Sequence, residues 1–302
     1  MSKVKAAAVV AEPKKLKVRK RQKEAIARTW WGNFFVFLFL GLMAAFMLLP
    51  FYYAIVQSLK PLEEIFAYPP KFYVVRPSFN NFRSLGILTD SLWIPLSRAI
   101  FNTVFVTLAG TVANVVISSL AAFPFAKYTF PGSRFMSTLI TKALLFTGAV
   151  TAVPQYLLMA KTGMINTYWA LLGPAVAGPM GMFLLKNFMS QISTTILEAA
   201  ELDGATIPRI WWQIILPNVK PAVLTLIILC FQSLWNMTGG QVIYEEKLKL
   251  LPTILNQISA SGIAYSGAAA AASVILMLPP LVFYIVVQSR VLETMAHAGI
   301  DK

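Results

Sequence analysis

The chain has few of the residues that build catalytic and metal sites. It contains one cysteine, Cys230, and one histidine, His297. A single thiol excludes an intrachain disulfide and a cysteine-based metal cluster. His297 has no metal-ligating partners at useful spacing. No Gly-Lys dipeptide occurs, so the phosphate loop G-x-x-x-x-G-K-[ST] is absent and the chain cannot be its own P-loop ATPase. Acids are also scarce, 12 Asp and Glu against 26 Lys and Arg. Charge of either sign makes up only 13% of the 302 residues, about half of what an ordinary soluble domain carries.

Apolar residues take its place. They form 57% of the chain, and the mean hydropathy is +0.67. The windows 29–59, 99–126, 143–160, 162–185, 221–244 and 250–289 contain no charge. At a helical rise of about 1.5 Å per residue each is long enough to span a bilayer. This predicts an all-α membrane protein with six helices, near 33–57, 99–127, 136–160, 166–188, 221–244 and 268–292. Buried helices of a soluble protein would need a polar shell, and the chain has too few polar residues to supply one.

Residues 1–30 read as a basic tail and 31–302 as the six-helix domain. The tail, rich in KKLKVRKRQK, could suggest nucleic acid. No binding fold accompanies it, so it reads as a topology anchor held against anionic membrane lipid, with no nucleic-acid partner. A cleaved signal peptide is not expected, because the apolar run after Arg28 is too long and no small-x-small site follows it. Most of the 26 basic residues fall on one side if the N-terminus is cytoplasmic. Six helices then return the C-terminus to the same side. On this reading 58–98 and 245–266 are outer loops and 189–220 is cytoplasmic.

The segment 198–221, EAAELDGATIPRIWWQIILPNVKP, is the most informative of the chain. Thr195-x-x-Glu198 fits a capping box opening a short helix. Ala199 and Ala200 keep one face thin for a partner. Gly204 suits a left-handed helix end, and Thr206-Ile207-Pro208 opens a second turn. Pro217 and Pro221 bracket the entry to the fifth membrane helix. From composition alone, an interfacial amphipathic helix fits about as well.

This segment resembles the cytoplasmic EAA loop of permease subunits in bacterial ATP-driven importers, the loop that forms the coupling helix. Other stretches match the carbohydrate-uptake branch of that family, similar to the maltose-type permeases. They are Asn102-Thr103, the run AFPFAKYTFPGSR from Ala122 to Arg134, and Asn166-Thr167-Tyr168. Phe183 to Phe188, Trp235-Asn236 and Ala298 to Lys302 complete the set. Departures stand at Ser193, where proline is usual, at Thr195, where an acid is usual, and at Met237 to Gly240.

The resemblance implies a type I ABC importer permease-like bundle in the bacterial inner membrane. It implies as partners a homologous second permease, two ATPase subunits that carry the ATP and Mg, and an extracytoplasmic sugar-binding protein. Neither cofactor nor catalytic residue is expected on this chain. Glu198, Ala199, Ala200, Asp203, Gly204, Arg209 and Pro217 would form the ATPase contact. Asn102, Asn114, Gln155, Tyr156, Gln232, Trp235 and Asn236 are candidates to line the path between the permeases. Each of these polar residues fits a helix–helix hydrogen bond equally well. Asn256, Gln257, Ser259, Ser261 and Gly262 would reach the binding protein.

Three other readings remain, one of them a membrane scaffold or receptor without transport, which fits the hydropathy but leaves the 198–221 segment unexplained. A permease for a peptide or another solute is the nearer rival. A stand-alone secondary transporter calls for an ionisable residue at mid-membrane and often an inverted repeat, and neither is visible in this sequence.

Overall fold

The computed structural model describes residues 30–91 and 96–300. The basic tail 1–29 and the terminal Asp301-Lys302 lie outside the described residues. Among these residues the structure is helical, with no strand. Among the described residues four helices are long and apolar enough to cross a membrane, and up to six crossings result if each of two bent helix pairs is one span.

The chain divides into two units, residues 1–50 and 51–302. The described part of the first is most of helix α1 (Trp30–Leu59), which runs on past Pro50. Its side chains up to Pro50 are almost all exposed. Trp30, Trp31, Phe34 and Phe35 form a contiguous aromatic cluster at its start, with Trp30 and Trp31 edge-on at 5.1 Å. Such rings suit a membrane–water interface.

In the second unit a short helix α2 (Leu62–Ile65) leads to α3 (Asn80–Ser91). The central element is α4 (Leu96–Lys127), which has no charge between Arg98 and Lys127. It packs most extensively on α8 (Pro179–Ser190), then on α12 (Lys220–Trp235) and α7 (Tyr168–Val176). Gly181 lets α8 approach closely: a Cβ there would lie 2.5 Å from Ser118 Oγ and 2.9 Å from Asn114 Oδ1.

Three expectations are corrected. The third predicted helix is two, α5 (Ser133–Ala143) and α6 (Gly148–Lys161), bent by 111°. Thr147 is extended and Gly148 restarts the helix. Neither residue carries charge, so an apolar run hides the break. The fifth helix ends at Trp235 rather than near 244, because Gly239-Gly240 follows and glycine resists helix. The 245–266 loop is mostly structured, with a 3₁₀ turn at Glu246–Leu248 and helix α13 (Leu251–Ala260).

Short helix α9 (Thr194–Leu202) is followed by α10 (Ile207–Ile210), a π turn at Trp211–Ile215, and α11 (Leu216–Asn218). The π turn lies just before Pro217, which has no N–H for the Gln213 carbonyl. The run Ile207–Asn218 meets α12 at 82°. Helix α14 (Ser266–Ile300) closes the bundle.

Hydrogen bonds identify the two ends of the bundle. At one end, Asn102 near the start of α4 holds the Lys247 and Lys249 carbonyls. At the other, the Lys127 ammonium donates to the Ile192 carbonyl. Leu85, Ala99, Leu251, Ile254, Leu255 and Ile258 build an apolar core at the Asn102 end. Phe123, Leu185, Met189, Leu197, Ile210 and Ile215 build one at the Lys127 end.

Candidate functional site

The predicted path residues fall into two groups. In the first, polar atoms are used for packing. Asn102 is fully buried. Its Nδ2 donates to the carbonyls of Lys247 and Lys249 at 3.0 and 3.1 Å, and its Oδ1 accepts from the Tyr168 hydroxyl at 2.8 Å. Asn114 Nδ2 donates to the Ala175 carbonyl at 2.6 Å. Trp235 is buried, its Nε1 donates to the Leu276 carbonyl at 3.0 Å, and its ring stacks on Phe231.

The second group meets open space along α12. A cleft of about 490 Å³ lies between α6, α7 and the chain leaving α12. Gln155 and Tyr156 of α6, Ser233 of α12, Asn236 just past its end, and the segment Met237–Val242 line it. A cavity of about 340 Å³ continues along α12 past Ser233 and Met237 to Asn114, Gly178 and Cys230. On the other flank of α12, a cavity of about 540 Å³ takes in Gln232 and Asn236 against Phe231, Phe283 and Tyr284. Asn236 therefore faces both flanks. No lining residue of these three spaces is charged. Amides, hydroxyls and aromatic faces line them, a chemistry suited to neutral polar solutes.

Two residues near this cleft, Asn166 and Tyr244, were not among the path residues expected from the sequence. Asn166 has a left-handed backbone, φ 59. Its Oδ1 accepts from the N–H groups of Tyr244 and Glu245 at 2.6 and 3.1 Å. Tyr244 donates its hydroxyl to the Gln241 carbonyl at 2.9 Å. In the sequence Asn166 stood only as part of the matched stretch Asn166-Thr167-Tyr168 before a helix start, with no sign of these long-range bonds.

At the Lys127 end, the loop between α8 and α12 is folded. Ser193 caps α9 by accepting from Thr195 N–H at 3.3 Å. The predicted capping box at Thr195 is not formed: the cap lies two residues earlier, at Ser193, the helix begins at Thr194, and Ile196 stands where the box needs an acid or amide. Serine at 193 supplies a hydroxyl that proline could not. At the other end of α9, Gly204 is left-handed with φ 77. Ala205 N–H donates to the Ala200 carbonyl at 2.9 Å and Gly204 N–H to Glu201 at 3.0 Å, a Schellman ending. Thr206 then caps α10 by position, with Pro208 in its first turn.

Leu197 anchors this loop in the core with 5% exposure. Glu198, Ala199, Asp203, Gly204, Arg209 and Pro217 are exposed, and Ala200 is half-buried. Arg209 Nε donates to Gln213 Oε1 of its own helical run at 2.9 Å. The Tyr128 hydroxyl donates to Glu201 Oε1 at 3.4 Å. Desolvation and the Glu201 carboxylate together raise the Tyr128 phenol above its ordinary pKa. Leu202, which the sequence did not mark, is 90% exposed beside the Gly204 turn.

At the Asn102 end, α13 presents Asn256, Gln257 and Ser259 outward, while Leu251, Ile254, Leu255 and Ile258 are buried. Ser259 and Ser261 return their hydroxyls to the carbonyls of Leu255 and Gln257. Gly262, with φ 116, follows the helix.

No family model matches the chain. A curated relative, the polygalacturonan/rhamnogalacturonan transport system permease protein YtcP of Bacillus subtilis (strain 168), is 27% identical over 206 residues, covering 68% of this chain and 70% of that protein. A crystal structure of a bacterial ABC transporter involved in the import of the acidic polysaccharide alginate matches with a TM-score of 0.75 at 22% identity, covering 86% of this chain and 98% of that one. A bacterial alginate ABC transporter in complex with an alginate pentasaccharide-bound periplasmic protein matches with a TM-score of 0.58 at 15% identity, over 84% and 93% of the two chains. Permeases of sugar transport systems recur among the curated relatives. In sequence the chain is similar to permease proteins of sugar transport systems, and it shares the fold of a chain of a bacterial alginate ABC transporter.

Proposed function

We propose that this multi-pass membrane protein is the translocating subunit of an ATP-driven importer for a sugar or oligosaccharide. The observation that carries this reading is the uncharged cleft along α12 at one end of the bundle, with a folded, exposed loop at the other. Gln155, Tyr156, Gln232 and Asn236 face open space and are the residues assigned to the path. Asn102, Asn114 and Trp235 hold the walls through their hydrogen bonds. A homologous permease completes the path on the exposed flank of α12.

The Lys127 end is assigned to the cytoplasm, with both termini, in a bacterial inner membrane. There Glu198, Ala199, Ala200, Asp203, Gly204, Arg209 and Pro217, with the exposed Leu202, contact one of two ATPase subunits that hold ATP and Mg. Leu202 supports this assignment, since an apolar side chain standing in water is stabilised by a partner. The Asn102 end faces outward, where Asn256, Gln257, Ser259, Ser261 and Gly262 meet a sugar-binding protein. Because α13 is anchored by Ile254 and Ile258, it offers that partner a fixed surface.

The test is uptake of labelled sugar into proteoliposomes holding this chain, its partner permease and the ATPases. Uptake is expected only with ATP inside and loaded binding protein outside, and it is lost when this chain is omitted. Uptake without this chain, or without ATP, contradicts the reading.

A further inference from the structure

The chain leaving α12 forms one wall of the cleft through Met237–Val242, and this wall has no regular helix of its own. Its downstream end, from Val242 on, is held by residues from elsewhere in the fold. Asn166, in the turn before α7, donates its own N–H to the Val242 carbonyl at 3.0 Å and receives the N–H groups of Tyr244 and Glu245 on Oδ1. Ile243 is thereby turned inward, 4% exposed, against Val106, Met159 and Leu171. Downstream, Arg98 and Asn102 hold the Lys247 carbonyl, and Thr103 accepts the Leu251 N–H at 2.8 Å.

The left-handed backbone at Asn166 is one that asparagine tolerates better than most residues. Its short amide also reaches two successive backbone N–H groups, which neither glycine nor a longer amide does from this position. The left-handed turn and the paired acceptance therefore call for Asn or Asp together.

We infer that Asn166 is a positioning residue that latches Val242–Glu245 in place and so sets the outer wall of the cleft. This rests on the cleft being the sugar path. The latch acts on the wall alone, since the ATPase-contacting loop lies at the opposite end of the bundle. Asp at 166 keeps both the acceptor and the backbone conformation. Gly keeps only the conformation, so it isolates the loss of the side chain.

The experiment uses the complete transporter with Cys230→Ser and Ile243→Cys in this chain, probed by a membrane-impermeant maleimide. Loss of two hydrogen bonds in Asn166→Gly is expected to speed labelling of position 243 about tenfold. Half-saturation of uptake by loaded binding protein should rise several-fold, with basal ATP hydrolysis unchanged. Asn166→Asp should stay within about twofold of Asn166 in both readouts. In the unmodified transporter the amides of Tyr244 and Glu245 should exchange slowly with solvent.

Wild-type labelling in Asn166→Gly overturns the latch, as does fast exchange of those two amides, and neither result depends on sugar uptake. Altered labelling in a transporter that moves no sugar supports the latch and sinks the path reading instead.

Discussion

The Lys127 ammonium, in the last turn of α4, donates to the carbonyl of Ile192, just before the Ser193 cap of α9. This bond ties the helix at the centre of the bundle to the start of the exposed loop. Replacing Lys127 by Met removes the donor and keeps most of the apolar stem. A hydrogen bond to a charged group contributes about 1.5–3 kcal/mol. The expected result is a several-fold loss of substrate-stimulated ATP hydrolysis in the reconstituted transporter, with insertion intact.

Gly204 ends α9 at φ 77 with open space around it. The cost of a side chain there is therefore conformational, about 1–2 kcal/mol for an L residue in that region. A β-branched residue suffers more and asparagine less. Gly204→Val should insert and assemble yet lose transport and stimulated ATP hydrolysis, while Gly204→Asn retains most of both. The check is ATPase activity with and without loaded binding protein. Normal coupling in Gly204→Val, with normal assembly, removes the loop from the coupling role.

Close packing of α4 on α8 makes a separate, structural prediction. A valine at 181 would press on Ser118 Oγ and Asn114 Oδ1. Overpacking of this kind costs about 1–3 kcal/mol. Gly181→Val should lower the melting temperature in detergent, and adding Ser118→Gly should recover part of the loss.

Purified without partners, the chain should hydrolyse no ATP above a mock preparation, because no Gly-Lys dipeptide and hence no phosphate loop is present. Activity that persists through rigorous removal of contaminants contradicts this.

The apolar runs and the Gly204 turn were legible in the sequence because each depends on short-range chemistry. A charge-free window reports bilayer compatibility, and a glycine between an acidic turn and Thr-Ile-Pro reports a helix end. The break at Thr147 was not legible, since hydropathy is blind to a bend inside an uncharged run such as 143–160. The end of α12 at Trp235 had a signal in Gly239-Gly240, but the uncharged window outweighed it. The burial of Asn102 and the latch at Asn166 join segments about eighty residues or more apart, which only the folded chain brings together. Leu202 read as one apolar residue among many until its exposure was known.

Cys230, the only cysteine in the chain, lines the cavity along α12 between Asn114 and Ser233. It is thus a native probe of the face assigned to the path. The direct measurement is ATP-driven sugar uptake by the complete transporter against the extent of Cys230 modification by a bulky maleimide. Uptake is predicted to fall in proportion to labelling, while Cys230→Ser transports normally and ignores the reagent. Complete labelling of Cys230 with undiminished uptake would contradict the assignment of this face as the route of the sugar.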